Sequence, residues 1–328
     1  MIEQQIKGLF EDLKLGGIVK PIEAVSGGFM HRMYKVCTAD RIYAVKQLNP
    51  EIMKRPEAAA NYAKAEHLES IIEKAGIPII PALSFDGRKM IKAGTESFYL
   101  FEWHNGSISD WNNITEEQCR KAADILGRIH ALEPDKDIKE EHEECHIDWD
   151  RYIREAQDTD NEVYRLIGDN EELLRYAETE LNRARRLLPD IVRISDEDMD
   201  PKNVMWDNGK PYVIDLECLD YGNPVSHVLQ LSLQWSGITI CNIELNHIKA
   251  FFEGYFQAYY NGFRSYAEIF GLVYTWLEWL EYNISRALGK STDEKEREMG
   301  ISEVKNTLKR IRYIYDNETE IKKVLEQV

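Results

Sequence analysis

The chain is short of several things that would each have pointed to a different kind of protein. No apolar run approaches the roughly 18 residues a membrane-crossing helix needs, so no transmembrane helix is expected. The amino-terminal stretch MIEQQIKGLFEDLKL is amphipathic and carries acids, which reads as a short first helix and not as a signal or transit peptide. Cysteine is scarce: five residues, widely spread and without a C-x-x-C pair. That disfavours a disulfide framework or a zinc site and leads us to expect reduced thiols in a cytoplasmic protein. Basic residues are outnumbered, 41 Lys and Arg against 58 Asp and Glu, for a net charge of −17. A surface that neutralises nucleic-acid phosphates is therefore not expected. There is no G-x-G-x-x-G, internal repeat, low-complexity tract or disordered linker.

What is present suits a folded chain of one large or two medium domains. It has 328 residues, of which 43% are hydrophobic and 30% charged. Residues 17–48 alternate loosely and are interrupted by Ser26-Gly27-Gly28 and by Thr38-Ala39-Asp40, as a β-meander would be. A helix is predicted over 56–75, stopped by Gly76 and Pro78. Apolar runs at 79–85 and 98–103 are expected to complete a five-strand, one-helix region. From His104 the pattern turns helical. Thr115-Glu116-Glu117-Gln118 forms a capping box, and further helices are predicted at 225–237, 243–260, 265–288 and 302–326. Between Asp135 and Asp190 the chain holds 18 acids and 9 bases. That is either a solvated helical face or a cation-attracting surface.

The most informative segment is ISDEDMDPKNVMWDNGKPYVIDL, residues 194–216. It presents Asp198, Asn203 five residues later, and Asp215 after a polar turn and a β-like run. Phosphoryl transfer from a nucleotide needs a carboxylate to orient the attacking hydroxyl and receive its proton. It also needs an amide oxygen and a second carboxylate to hold Mg²⁺ at the phosphates. Asp198 fits the first role, as catalytic base, and Asn203 and Asp215 fit the second, as metal ligands. Lys46, closing the strand-like Tyr43-Ala44-Val45, suits the cation that meets the nucleotide phosphates.

These residues resemble the aminoglycoside phosphotransferase and choline kinase-like family, whose loops run roughly H-x-D-x-x-x-x-N and I-D-[FWL]-[DE]. Asp196 stands where the family has His, and Asp in that place can cap the loop through backbone N–H groups. The resemblance implies an α+β, two-lobed protein-kinase-like fold: a small, mainly antiparallel β-sheet lobe (1–103) and a larger, mainly helical lobe (104–328). It implies that Glu66, with Glu69 and Glu73 of the same helix as competitors, pairs with Lys46 and that Ser26, Gly27 and Gly28 replace the phosphate loop. It also implies that Glu102 and Trp103, in the segment 100–106, belong to a hinge reading the nucleotide base. The activity implied is transfer of the γ-phosphate of ATP or GTP, with Mg²⁺, to a hydroxyl of a small acceptor. The acidic 135–190 segment favours an amino-bearing, cationic acceptor such as an aminoglycoside. The alternatives are a choline or other metabolite kinase, for which the seven Trp and 17 Tyr speak, and a nucleotide-binding pseudokinase. A protein kinase is disfavoured because D-F-G and A-P-E are absent.

Overall fold

The computed structural model describes residues 2–25, 31–134, 138, 144–290 and 294–328. Its contacts group the chain into two compact units: Met1–Ser109 with Lys202–Asp220, and Asp110–Pro201 with Tyr221–Val328. The sequence expectation assigned the metal loop to residues 104–328, whereas this grouping puts Lys202–Asp220 with the amino-terminal sheet.

The first unit opens with helix α1 (Ile2–Asp12), which buries Ile6, Leu9 and Phe10 along one stripe. Its sheet contains β1 (Glu23–Val25), β2 (Arg32–Cys37), β3 (Ile42–Gln47), β4 (Ile91–Ala93) and β5 (Glu96–Glu102). The spatial order is β1-β2-β3-β5-β4, with every neighbour antiparallel. Because strand side chains alternate, Val45, Phe98 and Leu100 join the α1 core. Tyr99 turns the other way and packs with Leu48, Tyr62 and Ala82. Lys46 lies opposite Tyr99 in the register, so it shares that second face.

Helix α2 (Pro50–Met53) is a single turn, and α3 (Ala58–Lys74) ends before Gly76, whose φ of +69° no β-carbon would favour. The predicted strand at 79–85 is not formed, and the fifth strand is β4. Pro78 and Pro81 remove N–H donors on either side of the Ile79-Ile80 pair. What remains is an isolated parallel bridge of Ile79 with Val213, an antiparallel one of Phe85 with Arg88, and a hydrogen bond from Leu83 N–H to the Leu100 carbonyl. Strand β6 (Ser107–Ile108) pairs with β8 (Val204–Asp207), which pairs with β9 (Lys210–Val213). Asn208 and Gly209, both at positive φ, close this hairpin in the manner of Asn-Gly turns.

The second unit is mostly helical. It holds α4 (Glu116–His130), α5 (Trp149–Thr159), α6 (Asn161–Gly168), α7 (Glu171–Arg185), α8 (Pro224–Trp235), α9 (Leu245–Ala258), α10 (Trp276–Ser285) and α11 (Glu294–Leu325), with one short strand, β7 (Arg193–Asp196). Helix α4 begins with the predicted capping box, Gln118 N–H on Thr115 Oγ1 and Thr115 N–H on Gln118 Oε1. Helices α4 and α9 approach backbone to backbone. A β-carbon on Gly254 would lie 2.2 Å from the Arg120 carbonyl oxygen, and one on Gly127 would lie 2.8 Å from that of Tyr255. The predicted helix at 265–288 divides into a tight 3₁₀ stretch, Phe270–Thr275, and α10.

The described part of the acidic 135–190 segment is helical, and many of its carboxylates are engaged. Asp148 and Asp160 cap α5 and α6. Asp150 and Glu171 share Arg175, Glu178 accepts from Trp149 Nε1, and Glu180 pairs with Arg183. No helix among the described residues is long and apolar enough to cross a membrane. None of the five cysteines forms a disulfide.

Candidate active site

The site in the first unit is organised around Lys46. Its ammonium lies 2.6 Å from Asp215 Oδ1 and 2.7 Å from Glu217 Oε1, with only 6% of its side chain exposed. Burial works to lower the Lys46 pKa, but the two carboxylates prevail and hold it above its ordinary value. Burial likewise opposes ionisation of Glu217. His31 and Lys46 outweigh it, and the carboxyl titrates below the usual range. Both directions describe one fully charged ion pair.

His31 completes the arrangement. Its Nδ1 accepts the Asn49 backbone N–H at 3.0 Å, which leaves the ring proton on Nε2, 3.0 Å from Glu217 Oε2. Asp215 sits at φ +62°, ψ +51°, a left-handed conformation costly for a residue with a side chain and concentrated at functional sites. Two backbone links hold its loop. Ile214 N–H donates to the Asn203 carbonyl, and Val213 exchanges hydrogen bonds with Pro78 and Ile80. Asn203, 5% exposed, is thereby fixed beside the residue preceding Asp215.

Glu66 does not pair with Lys46 as expected. Its Oε1 instead accepts the Tyr99 hydroxyl at 2.7 Å and the Met90 N–H at 3.1 Å. Tyr99 is the cross-strand neighbour of Lys46 and reaches α3 first, while Glu217 approaches the ammonium from the metal loop. Both residues still line one cavity, together with Tyr62, Phe101, Asp215 and Glu217. Deeper in the same wall, Glu69 accepts from Lys89 Nζ at 2.9 Å and from Ala82 N–H at 2.6 Å. Glu102 and Trp103 are not part of this lining. Glu102 pairs with Arg41 at 2.9 Å, and the Trp103 N–H extends the sheet by donating to the Ile42 carbonyl. Lys35 lies 4.4 Å over the Trp103 ring. Ser26, Gly27 and Gly28 lie outside the described residues.

In the second unit, Asp198 follows β7 on a loop braced from several directions. Asp196, fully buried, accepts the Asp198 N–H on Oδ1 at 3.1 Å, the loop cap expected of an aspartate in that place. Glu197 Oε1 meets His227 Nε2 at 3.1 Å, and Trp235 Nε1 donates to the Met199 carbonyl at 3.0 Å. Both of these partners lie on α8. Behind the loop, Ser195 Oγ contacts His130 Nε2 at 3.1 Å and His130 Nδ1 contacts the Tyr255 hydroxyl at 2.9 Å. Burial, with lesser contributions from His227 and Arg193, keeps His130 well below its ordinary pKa, so it is neutral. His31, and His227 with Trp235, are the supporting residues that sequence alone did not assign. Glu217, two residues after Asp215, was expected as a brace of the metal loop or a contact to a second Mg²⁺, and it pairs with Lys46.

Among the described residues no cluster of three His, Cys, Asp or Glu side chains could hold a metal unaided. One carboxylate with one amide oxygen suits an ion that takes its remaining ligands from phosphates and water, as Mg²⁺ does with nucleotides. Asp215 and Asn203 fit that description.

The phosphotransferase enzyme family profile matches residues 21–269. No curated protein matches in sequence. Among solved structures, a spectinomycin phosphotransferase in complex with ADP and spectinomycin superposes with a TM-score of 0.69 at 15% identity, over 99% of this chain and 98% of that one. A choline/ethanolamine kinase family protein from Mesorhizobium loti gives 0.61 at 13% identity, over the whole of both chains. An amicoumacin kinase in complex with AMP-PNP and Ca²⁺ gives 0.61 at 11%, over 94% of this chain and 95% of that one. With three quarters of its length matched by the profile, and with an α+β fold shared with these kinases, the chain belongs to the phosphotransferase enzyme family.

Proposed function

We propose that the protein transfers the γ-phosphate of ATP or GTP, with Mg²⁺, to a hydroxyl of a small amino-bearing acceptor such as an aminoglycoside. The observation that carries this reading is the buried Lys46 ammonium held by Asp215 and Glu217 of the metal loop. Spending two carboxylates on one buried lysine is costly for stability alone. It is useful where a cation must be kept in place for phosphate. Nucleotide-bound relatives of the same fold support the donor assignment.

In this reading Lys46 neutralises the non-transferred phosphates, and Asp215 with Asn203 would hold Mg²⁺. When bound, that ion offsets the charge of the phosphate oxygens. Asp198 orients the acceptor hydroxyl. As the acceptor oxygen–γ-phosphorus bond forms and the bond to the β-phosphate oxygen breaks, the hydroxyl proton passes to the Asp198 carboxylate. Asp196 is a positioning residue, holding the Asp198 backbone through its N–H. A second reading, a choline-type acceptor, draws support from the fold shared with a choline/ethanolamine kinase family protein.

The test is Mg²⁺-nucleotide turnover against aminoglycosides, choline and small hydroxylated metabolites, with Asp198→Asn beside the wild type. Removing a general base should lower turnover by about 10² to 10⁴ while nucleotide affinity, measured calorimetrically, stays within a few-fold. An Asp198→Asn protein that turns over at the wild-type rate would overturn the assignment.

A further inference from the structure

A cavity of about 170 Å³ lies in the second unit, where the residues before α4 meet the turn from α8 to α9. Trp111, Asn112, Ser236, Asn242, Glu244 and His247 line it, together with Trp235. We infer that this cavity binds a small organic cation carrying N–H donors, an ammonium or guanidinium compound, and that the bound cation acts on the Asp198 loop through Trp235. The inference goes beyond the kinase reading and does not depend on it.

The chemistry of the lining selects the cation. Asn112 uses its amide N–H on Asp110 Oδ1 at 3.2 Å and the Ser236 hydroxyl donates to the Ser232 carbonyl, so each has chiefly an oxygen left to offer. The side chains of Asn242, Glu244 and His247 make no hydrogen bond or ion pair among the described residues. Glu244 stands at the cap position of α9, where Ser, Thr, Asp or Asn is the usual choice, and its carboxylate makes no capping bond. No Lys or Arg is in the lining. Burial holds His247 below its ordinary pKa against the pull of Glu244 and Glu116, so the imidazole is neutral. The cavity therefore carries one negative charge, a surplus of acceptors and two indoles, on whose faces a cation is favourable. An anion would find no counter-charge, and a neutral polyol would leave the carboxylate unmatched.

The walls are also held in place without a ligand. Glu244 N–H donates to the Ser236 carbonyl at 2.8 Å and Asn242 N–H to that of Gly237 at 3.2 Å. Gly237 has a φ of +95°, and a β-carbon on it would lie 2.3 Å from the Asn242 carbonyl oxygen, so this approach of the two backbones requires glycine. The volume sets the size of the guest: an engineered cavity of about 150 Å³ takes benzene, so a compound of about six heavy atoms fits and a nucleotide does not.

Trp235 joins the cavity to the loop. Its ring is fully buried, and its Nε1 donates to the Met199 carbonyl at 3.0 Å, one residue beyond Asp198. A guest packed on that indole fixes the donor that holds the loop.

The test uses the full chain without nucleotide, in about 0.15 M salt, where exposed charges are screened beyond about 8 Å. Indole N–H signals are followed by NMR during addition of putrescine, a diamine of suitable size with no hydroxyl to phosphorylate, and of butanediol, its uncharged counterpart. Trp111→Phe and Trp235→Phe identify their signals, and calorimetry gives the affinity. Putrescine should shift both signals and butanediol neither. Glu244→Gln should weaken putrescine about 10- to 100-fold, the range for a hydrogen bond to a charged group, while the remaining indole signals and nucleotide affinity stay as in the wild type. The site is overturned if putrescine moves neither signal, if butanediol binds as well, or if Glu244→Gln leaves putrescine affinity intact. A shift at Trp111 with none at Trp235 overturns the link to the loop.

Discussion

Replacing Lys46 by Met tests the site's central ion pair without altering the shape of the side chain greatly. The substitution leaves Glu217, with 16% of its side chain exposed, facing Asp215 with no cation between them. Removing one partner of a buried pair costs about 3–5 kcal/mol. The lower end applies here, because Asp215 is 38% exposed and His31 still meets Glu217. At about 2–4 °C per kcal/mol for a body of this size, a loss of about 3 kcal/mol lowers the melting temperature by roughly 6–12 °C.

The decisive comparison is the double variant. Glu217→Gln alone should cost about 1.5–3 kcal/mol, a lost charge-assisted contact. In the Lys46→Met background it should restore stability, since it removes the stranded charge. The pH dependence has a definite sign. In the wild type the Glu217 carboxyl titrates below its ordinary value, so its contribution is present above about pH 4.3 and is lost as pH falls through the folded value. Without Lys46 burial has one opponent fewer and the carboxyl titrates higher, so acidification should narrow the gap between variant and wild type. Thermal melts of the four proteins across pH settle the matter. A double variant no more stable than Lys46→Met would refute the stranded-charge argument.

Other consequences are measurable by the same melts. Lys89→Met strands Glu69, whose carboxyl burial already pushes upward, and should cost about 3–5 kcal/mol because both side chains are only 8% exposed. Gly254→Ala should cost about 3 kcal/mol, since its β-carbon meets the Arg120 carbonyl and backbone cannot step aside. Gly8→Ala, in mid-α1 with nothing within 4 Å, should instead stabilise by about 0.5–1 kcal/mol. Asp196→Ala removes the acceptor for the Asp198 N–H and should lower turnover about tenfold and stability by about 1 kcal/mol, the usual cost of a lost cap. Asp196→Asn keeps an oxygen there and should lose less of both.

Much of this was readable in the chain itself, and the pattern of misses is instructive. Lys46, the capping box at Thr115 and the hairpin at Asn208-Gly209 depend on local chemistry, and local chemistry is what a sequence displays. Glu66 was expected to reach Lys46 because both elements exist. Which carboxylate arrives depends on the register that sets Tyr99 beside Lys46 and on the loop that brings Glu217 across. The run at 79–85 had strand composition, but two prolines deprived it of donors, while the less apolar Ile91–Ala93 found a partner in β5. The acidic stretch before the catalytic loop suggested a surface for cations. Among the described residues many of its charges go to caps and to arginines of the same or a neighbouring helix, an outcome set by side-chain reach and not by composition.

The discontinuity of the first unit has a consequence for synthesis. Lys46 emerges early from the ribosome, but Asp215 and Glu217 follow only after the whole of Asp110–Pro201 has been translated. At about 5–20 residues per second that delay is on the order of ten seconds. Throughout it the nascent sheet carries a lysine at a buried position with neither of its counter-ions. An amino-terminal fragment ending at Ser109 is in the same condition permanently, so it should depend on chaperones or aggregate, and addition of a peptide spanning Lys202–Asp220 should rescue it.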